Sequence, residues 1–108
     1  MGLEASELKA FLRTHQSFEV AKKTFRIYVE SWREEEPEEF FEAFGDIDID
    51  LVEVEAWRGS LVVNFLYDRD IEFVSASLKI SFDDKILAEY FLIQDLDGEI
   101  IDDRLHFE

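Results

Sequence analysis

Asp46, Asp48 and Asp50 recur at every second residue in DIDIDLVEVEAW, with Ile47, Ile49 and Leu51 between them, and Glu53 and Glu55 carry the acidic row onward. On a strand, residues two apart share a face at about 6.5–7 Å. Carboxylates so arranged have three uses. They can hold a hard cation such as Ca2+ or Mg2+, face a basic partner, or form a solvated surface. A cation site needs oxygens converging on one point, whereas a straight ladder diverges. The expectation is therefore no metal and no cofactor. The row is read instead as a binding surface for a basic protein, with Glu38, Glu39 and Glu42 of PEEFFEAFG as the second choice of binding acids.

Other chemistry-bearing residues do not assemble into a motif. Asp95-Leu96-Asp97-Gly98 has part of a calcium-loop spacing, but Ile93 and Arg104 stand where the first ligand and the bidentate Glu belong. No G-x-S-x-G setting supports a serine nucleophile. The four Gly form no phosphate-cradling loop, and the absence of Cys excludes disulfides and thiol catalysis. His15 falls on an apolar side and reads as a core histidine. Trp57, Tyr67 and Tyr90 would line a cavity if a sheet curled over a helix, which keeps a small-ligand or enzymatic domain as an alternative to the binding protein.

The charge sharpens the choice. The 108 residues carry 11 Lys and Arg against 27 Asp and Glu, a net of −16. Residues 1–33 hold six basic and four acidic residues and are +2. Residues 34–108 hold five basic and 23 acidic residues and are −18. Such a field repels nucleic acid and anionic membranes and attracts cations and basic proteins. The composition, 47% hydrophobic with 11 Phe, is that of a packed domain rather than an acidic tail. No apolar run approaches the roughly 20 residues of a membrane span. The amino terminus lacks a signal-peptide pattern, so a cytoplasmic setting is expected.

These residues need elements to position them. Residues 3–14 read as a first helical segment. Phe18, Ala21, Phe25, Tyr28, Val29 and Trp32 then mark one face of a helix over 17–33, with Ser17 as its N-cap and a break near Thr14–Ser17. Pro37 opens a short helix that Gly45 stops, with Phe40, Phe41 and Phe44 inward. From Asp46 the period changes from 3.6 to 2. Strands are expected over 46–56, with a bulge at Leu51-Val52, and over 61–68, 71–82, 86–94 and 100–107. Turns are expected at 58–60, 68–70, 83–85 and 96–99. The 61–68 segment is apolar on both faces and reads as interior to the sheet. The fold class is α+β, one domain over 1–108, with N-terminal helices packed on one face of an antiparallel meander of about five strands.

Pro37 to Gly45 resembles the Pro-Glu-Glu helix ending in Gly of the phage uracil-DNA glycosylase inhibitors. Glu30-Ser31-Trp32 is similar to their Glu-Ser-aliphatic motif, although Trp32 replaces the aliphatic residue. Ile93-Gln94-Asp95 with Gly98-Glu99 is similar to their last turn. Ser17-Phe18-Glu19 with Ala21 and Phe25 resembles the first helix of small acidic bacterial proteins proposed as double-stranded DNA mimics. These resemblances imply a small acidic α+β protein whose carboxylates imitate a phosphate backbone. The expectation is a non-enzymatic acidic protein that occupies a basic protein surface, as an inhibitor, an immunity protein or a DNA mimic. Its partner would be a basic protein such as a nuclease or other nucleic-acid-binding protein. Direct contact with nucleic acid or membrane is not expected. A third reading is an oligomeric structural module, a homodimer for instance, if a broad apolar sheet face is left uncovered.

Overall fold

The computed structural model describes residues 2–65 and 71–108. Three helices, α1 (Gly2–Thr14), α2 (Ser17–Glu35) and α3 (Pro37–Phe44), precede a 3-10 turn (Ile49–Leu51) and four strands, β1 (Glu53–Asn64), β2 (Ile71–Phe82), β3 (Lys85–Gln94) and β4 (Ile100–Phe107). The strands form one antiparallel sheet in the order β1-β2-β3-β4. The helices lie on one face, with α2 crossing β2 and β3. This is the α+β arrangement the change of period predicts, with four strands among the described residues.

The α2 stripe is what docks the layers. Ala21, Phe25 and Val29 are almost wholly buried, with Phe18, Tyr28 and Trp32 packed at their flanks. They meet Leu78 and Ile80 of β2 and Ala88, Tyr90 and Leu92 of β3. The break before α2 is at Gln16, whose φ of 50° is left-handed. Ser17 therefore sits inside α2 rather than capping it. Its buried hydroxyl instead donates to Gln94 Oε1 at 2.6 Å, and Gln94 Nε2 donates to Gly98 O at 2.9 Å. In α3, Phe40 and Phe44 are buried but Phe41 is exposed, because residues one apart on a helix cannot share a face.

β2 alternates as its sequence predicts. Val74, Ala76, Leu78 and Ile80 face the helices, with Ser75, Ser77, Lys79 and Ser81 on the opposite face. Asp83 and Asp84 close the β2–β3 hairpin with φ of 52° and 63°, the two left-handed residues that a tight two-residue turn requires. Gly98 (φ 90°) turns β3 into β4, and a Cβ there would strike the His15 ring, so only glycine serves.

Three strand expectations are corrected. Residues 46–52 are not sheet. Asp48 Oδ1 accepts from the Asp50 N–H at 3.0 Å, the local bond by which Asp favours a turn. Glu53 already pairs with Ser81, one residue from the end of β2, so earlier residues have no strand to join. Residues 58–60 do not turn. β1 runs straight through Gly59, against which Leu12 packs, and the bulge falls between Ala56 and Arg58, so two expected strands are one. That strand is an edge and not interior. The turn expected at 68–70 lies outside the described residues.

Tyr90 ties the layers together. It is fully buried, with its ring 5.4 Å from Phe25 and 5.9 Å from Tyr28. Its hydroxyl donates to Asp103 Oδ2 at 2.6 Å and lies 2.9 Å from the Thr24 hydroxyl. Burial, then the bond to Asp103, pushes its pKa above the ordinary tyrosine value. The folded protein thus holds this proton more tightly than the unfolded chain. The stability this provides is complete below the ordinary tyrosine range of about 10 and is lost as pH rises beyond it. Tyr90→Phe removes the hydrogen bonds, costing about 0.5–1.5 kcal/mol at neutral pH. It should also make the alkaline fall in urea midpoint shallower than in the wild type. An unchanged alkaline limb would assign that limb to other groups.

Candidate functional site

The aspartates of the opening row are set out by a turn pinned to α2. Arg26 Nη1 donates to Ile49 O at 2.8 Å and Nη2 to Val52 O at 3.4 Å. Ile49 and Val52 are buried beneath, 3% and 5% exposed. The Asp–Ile alternation therefore does express itself as polar-out and apolar-in, but on a 3-10 turn. Leu51, expected inward, is exposed instead. Asp46, Asp48 and Asp50 are all exposed around this turn. Glu53 and Glu55 continue onto β1, where they share the sheet face turned away from the helices. Lys79 Nζ lies 3.4 Å from Glu55 Oε2, so Glu55 is paired. No described cation lies within ion-pair distance of Asp46, Asp48, Asp50 or Glu53.

A second acidic site forms where α2, α3 and β4 meet. A groove of about 570 Å3 is lined by Tyr28, Ser31 and Trp32 of α2, by Glu35, Glu36 and Glu39, and by Leu105 and Phe107 of β4. Pro37 ends one helix and begins the next, which places Glu36 and Glu39 side by side. Trp32 is braced edge-on by Phe40 and Phe44, at 5.5 and 5.8 Å between ring centroids. The hydrogen bond to Glu36, then the charge of Glu36, raises the pKa of Glu39. Glu38 and Glu42 are exposed on the same short helix. Of the α3 acids expected to contribute, Glu39 lines the groove. Glu35 and Glu36 join it there although they belong to neither of the acidic groups expected from the sequence.

Of the aromatic residues proposed to line a cavity, Tyr90 and Trp57 lie on opposite sides of the sheet. Tyr90 faces the helices. Glu89, its neighbour on β3, faces the other way and is bound by Arg58, with Nε and Nη2 donating to the two carboxylate oxygens at 2.7 Å each. Trp57 lies on that other side, its ring 4.5 Å from the Arg58 guanidinium carbon. Tyr67 lies outside the described residues. A smaller cavity of about 270 Å3 lies beside α1, lined by Leu8, Phe11, Leu61, Val74 and Leu96 with Glu7 and Glu72.

No family model matches the chain, and neither a curated protein nor a solved structure matches it. Among the described residues, no three His, Asp or Glu side chains cluster so as to hold a metal ion. No described helix is long and apolar enough to cross a membrane. Glu30 and Ser31, which carry part of the inhibitor resemblance, lie within α2, whereas the corresponding residues of that family lie on a strand. The groove had a sequence signal. Tyr28 and Trp32 are four apart, and Glu35, Glu36 and Glu39 follow at helical spacing across a proline. Phe107 joins them only through β4.

Glu89 differs from the exposed acids in being buried and held by a cation at both carboxylate oxygens. The hydrogen bonds from Arg58, opposed by partial burial, hold its carboxyl below the usual glutamate range. The stability this provides is complete above the ordinary glutamate pKa of about 4.3 and is lost as pH falls through the lower folded value. Glu89→Gln should lower the urea midpoint at neutral pH and flatten its acid limb. Equal slopes in wild type and variant would show that the pair does not contribute to acid sensitivity.

Proposed function

We propose that the chain is a non-enzymatic acidic binding protein that occupies a basic protein surface, as an inhibitor, an immunity protein or a nucleic-acid mimic would. The observation that carries this reading is the groove at the α2–α3 corner. Aromatic rings and three carboxylates share it, and two of those carboxylates crowd each other. An Arg or Lys side chain fits this chemistry. Its charge meets Glu35, Glu36 and Glu39, its stem lies on apolar surface, and its cation can face an aromatic ring, a contact worth about 0.5–2 kcal/mol. Entry of a cation also relieves the Glu36–Glu39 repulsion, so binding in mildly acidic solution should release protons.

The aspartates around the pinned turn supply a second region, where summed charge steers a basic partner and raises the association rate. Both regions stand on elements fixed by buried side chains, so little ordering accompanies binding. The partner class is a basic protein, such as one whose own ligand is nucleic acid. A cytoplasmic setting suits a chain without cysteine.

An oligo-arginine peptide titrated against the full chain tests the reading, with tryptophan fluorescence and salt dependence as readouts. Glu35→Gln, Glu36→Gln and Glu39→Gln together should weaken binding about tenfold or more, roughly 1.4 kcal/mol, and abolish the fluorescence change. Asp46→Asn, Asp48→Asn and Asp50→Asn together should mainly slow association. Asp83→Asn, Asp84→Asn and Asp97→Asn remove the same charge from turns elsewhere and should do least. Equal weakening by all three triples would mean that net charge alone acts, and the groove would lose its role.

A further inference from the structure

We propose that the second half of β1, from Gly59, together with Phe65 just past its end, is a self-association edge. It pairs antiparallel with the same segment of a second copy and joins two four-stranded sheets into one. β1 is an edge strand, hydrogen-bonded to β2 along one side only. No strand of the described residues covers its other side. A free edge offers a row of backbone donors and acceptors to any extended chain, and proteins usually blunt it with charge, proline or a bulge. The first half of β1 is blunted in this way by Glu53, Glu55, the bulge at Trp57 and Arg58. The opposite edge, β4, carries Asp102, Asp103 and Arg104. From Gly59 the chain has no charged residue until Asp68, its longest uncharged run.

The side chains agree with the backbone. Leu61 and Val63 lie on the helix side of β1, opposite Val74 and Glu72 of β2, and Phe65 follows at the same two-residue spacing just past the strand's end. They are 52%, 36% and 73% exposed. Three large apolar residues at alternate positions of an unblunted edge make a surface that binding would remove from water.

The occupant that fits is a second copy of this chain. A basic partner is drawn to the acids and gains nothing from a neutral strand. Another copy, at −16, is repelled wherever its acids face each other, and the segment from Gly59 to Phe65 itself brings no charge to the contact, with Glu7 and Glu72 at its flank. Antiparallel pairing is also self-complementary. About an axis at Val62, Leu61 of each copy meets Val63 of the other, and Phe65 falls across Gly59, which has no side chain to obstruct it. Such an interface carries a signature opposite to that of basic-partner binding. Salt strengthens it, because screening removes the repulsion between copies while leaving the neutral contact intact.

Sedimentation velocity on the full chain, over a concentration series at low and moderate NaCl, reads this directly. A dimer whose fraction rises with both concentration and salt is expected. Val63→Lys places a charge in the edge and should lower the association constant at least tenfold. Phe65→Ser removes a side chain already in water and provides the same test if Val63→Lys does not fold. Ile86→Lys, on the sheet face away from the helices, should leave the dimer intact. A wild type that stays monomeric throughout would overturn the proposal. So would a dimer unaffected by Val63→Lys and Phe65→Ser, or one dissolved by Ile86→Lys, which would move the contact to the sheet face.

Discussion

Twenty-three carboxylates and five cations share residues 34–108, and they must be brought close together before the chain can bury a core. The few cations are therefore informative. Arg58 binds Glu89, Lys79 faces Glu55, and Arg104 bonds Asp102, so three ion pairs lie on the sheet face that the helices leave open. Arg26 makes no ion pair among the described residues. It holds two backbone carbonyls and so fixes the turn that sets out Asp48 and Asp50. Local neutralisation is concentrated on the open sheet face, and repulsion is left standing around the turn and at the α2–α3 corner.

What opposes that repulsion is a one-sided core. Phe25 and Val29 of α2, Leu78 and Ile80 of β2 and Tyr90 of β3 are each almost wholly buried. Tyr90 adds polar ties to α2 and β4 through Thr24 and Asp103. Because the core is on one side, the acids are displaced to the helix corner, the pinned turn and the strand ends. The uncharged half of β1 is left as a separate surface. On the two proposals, a contact at the acidic surface would weaken with salt and a contact at the uncharged edge would strengthen, so the two would be told apart by their salt dependence.

The sequence makes the helices and the central hairpin legible because burial and period coincide there. Phe18 to Trp32 has a stripe long enough to outweigh its β-forming residues, and Val74 to Phe82 alternates beside a clear Asp-Asp turn. The 46–52 segment misleads for a physical reason. Alternating Asp and Ile gives polar-out and apolar-in exposure on a strand and on a 3-10 turn alike. The Asp48 side-chain bond and the end of β2, both three-dimensional facts, decide between them. Arg58-Gly59-Ser60 looks like a turn, yet here the glycine accommodates Leu12 of α1. Half of the candidate groove is readable from helical spacing in α2 and α3. Leu105 and Phe107 of β4 enter it through sheet order, which local pattern does not encode.

The central claim is that most acids of this protein are uncompensated in the folded chain and are held together by the core. The thermal unfolding midpoint across an NaCl series tests it most directly, read on dilute protein so that self-association does not contribute. Screening shortens to a Debye length of about 8 Å at physiological ionic strength, within the span of the acidic regions. The midpoint should therefore climb from low to moderate salt. A flat or falling midpoint would show that the acids are already paired, which would contradict the account.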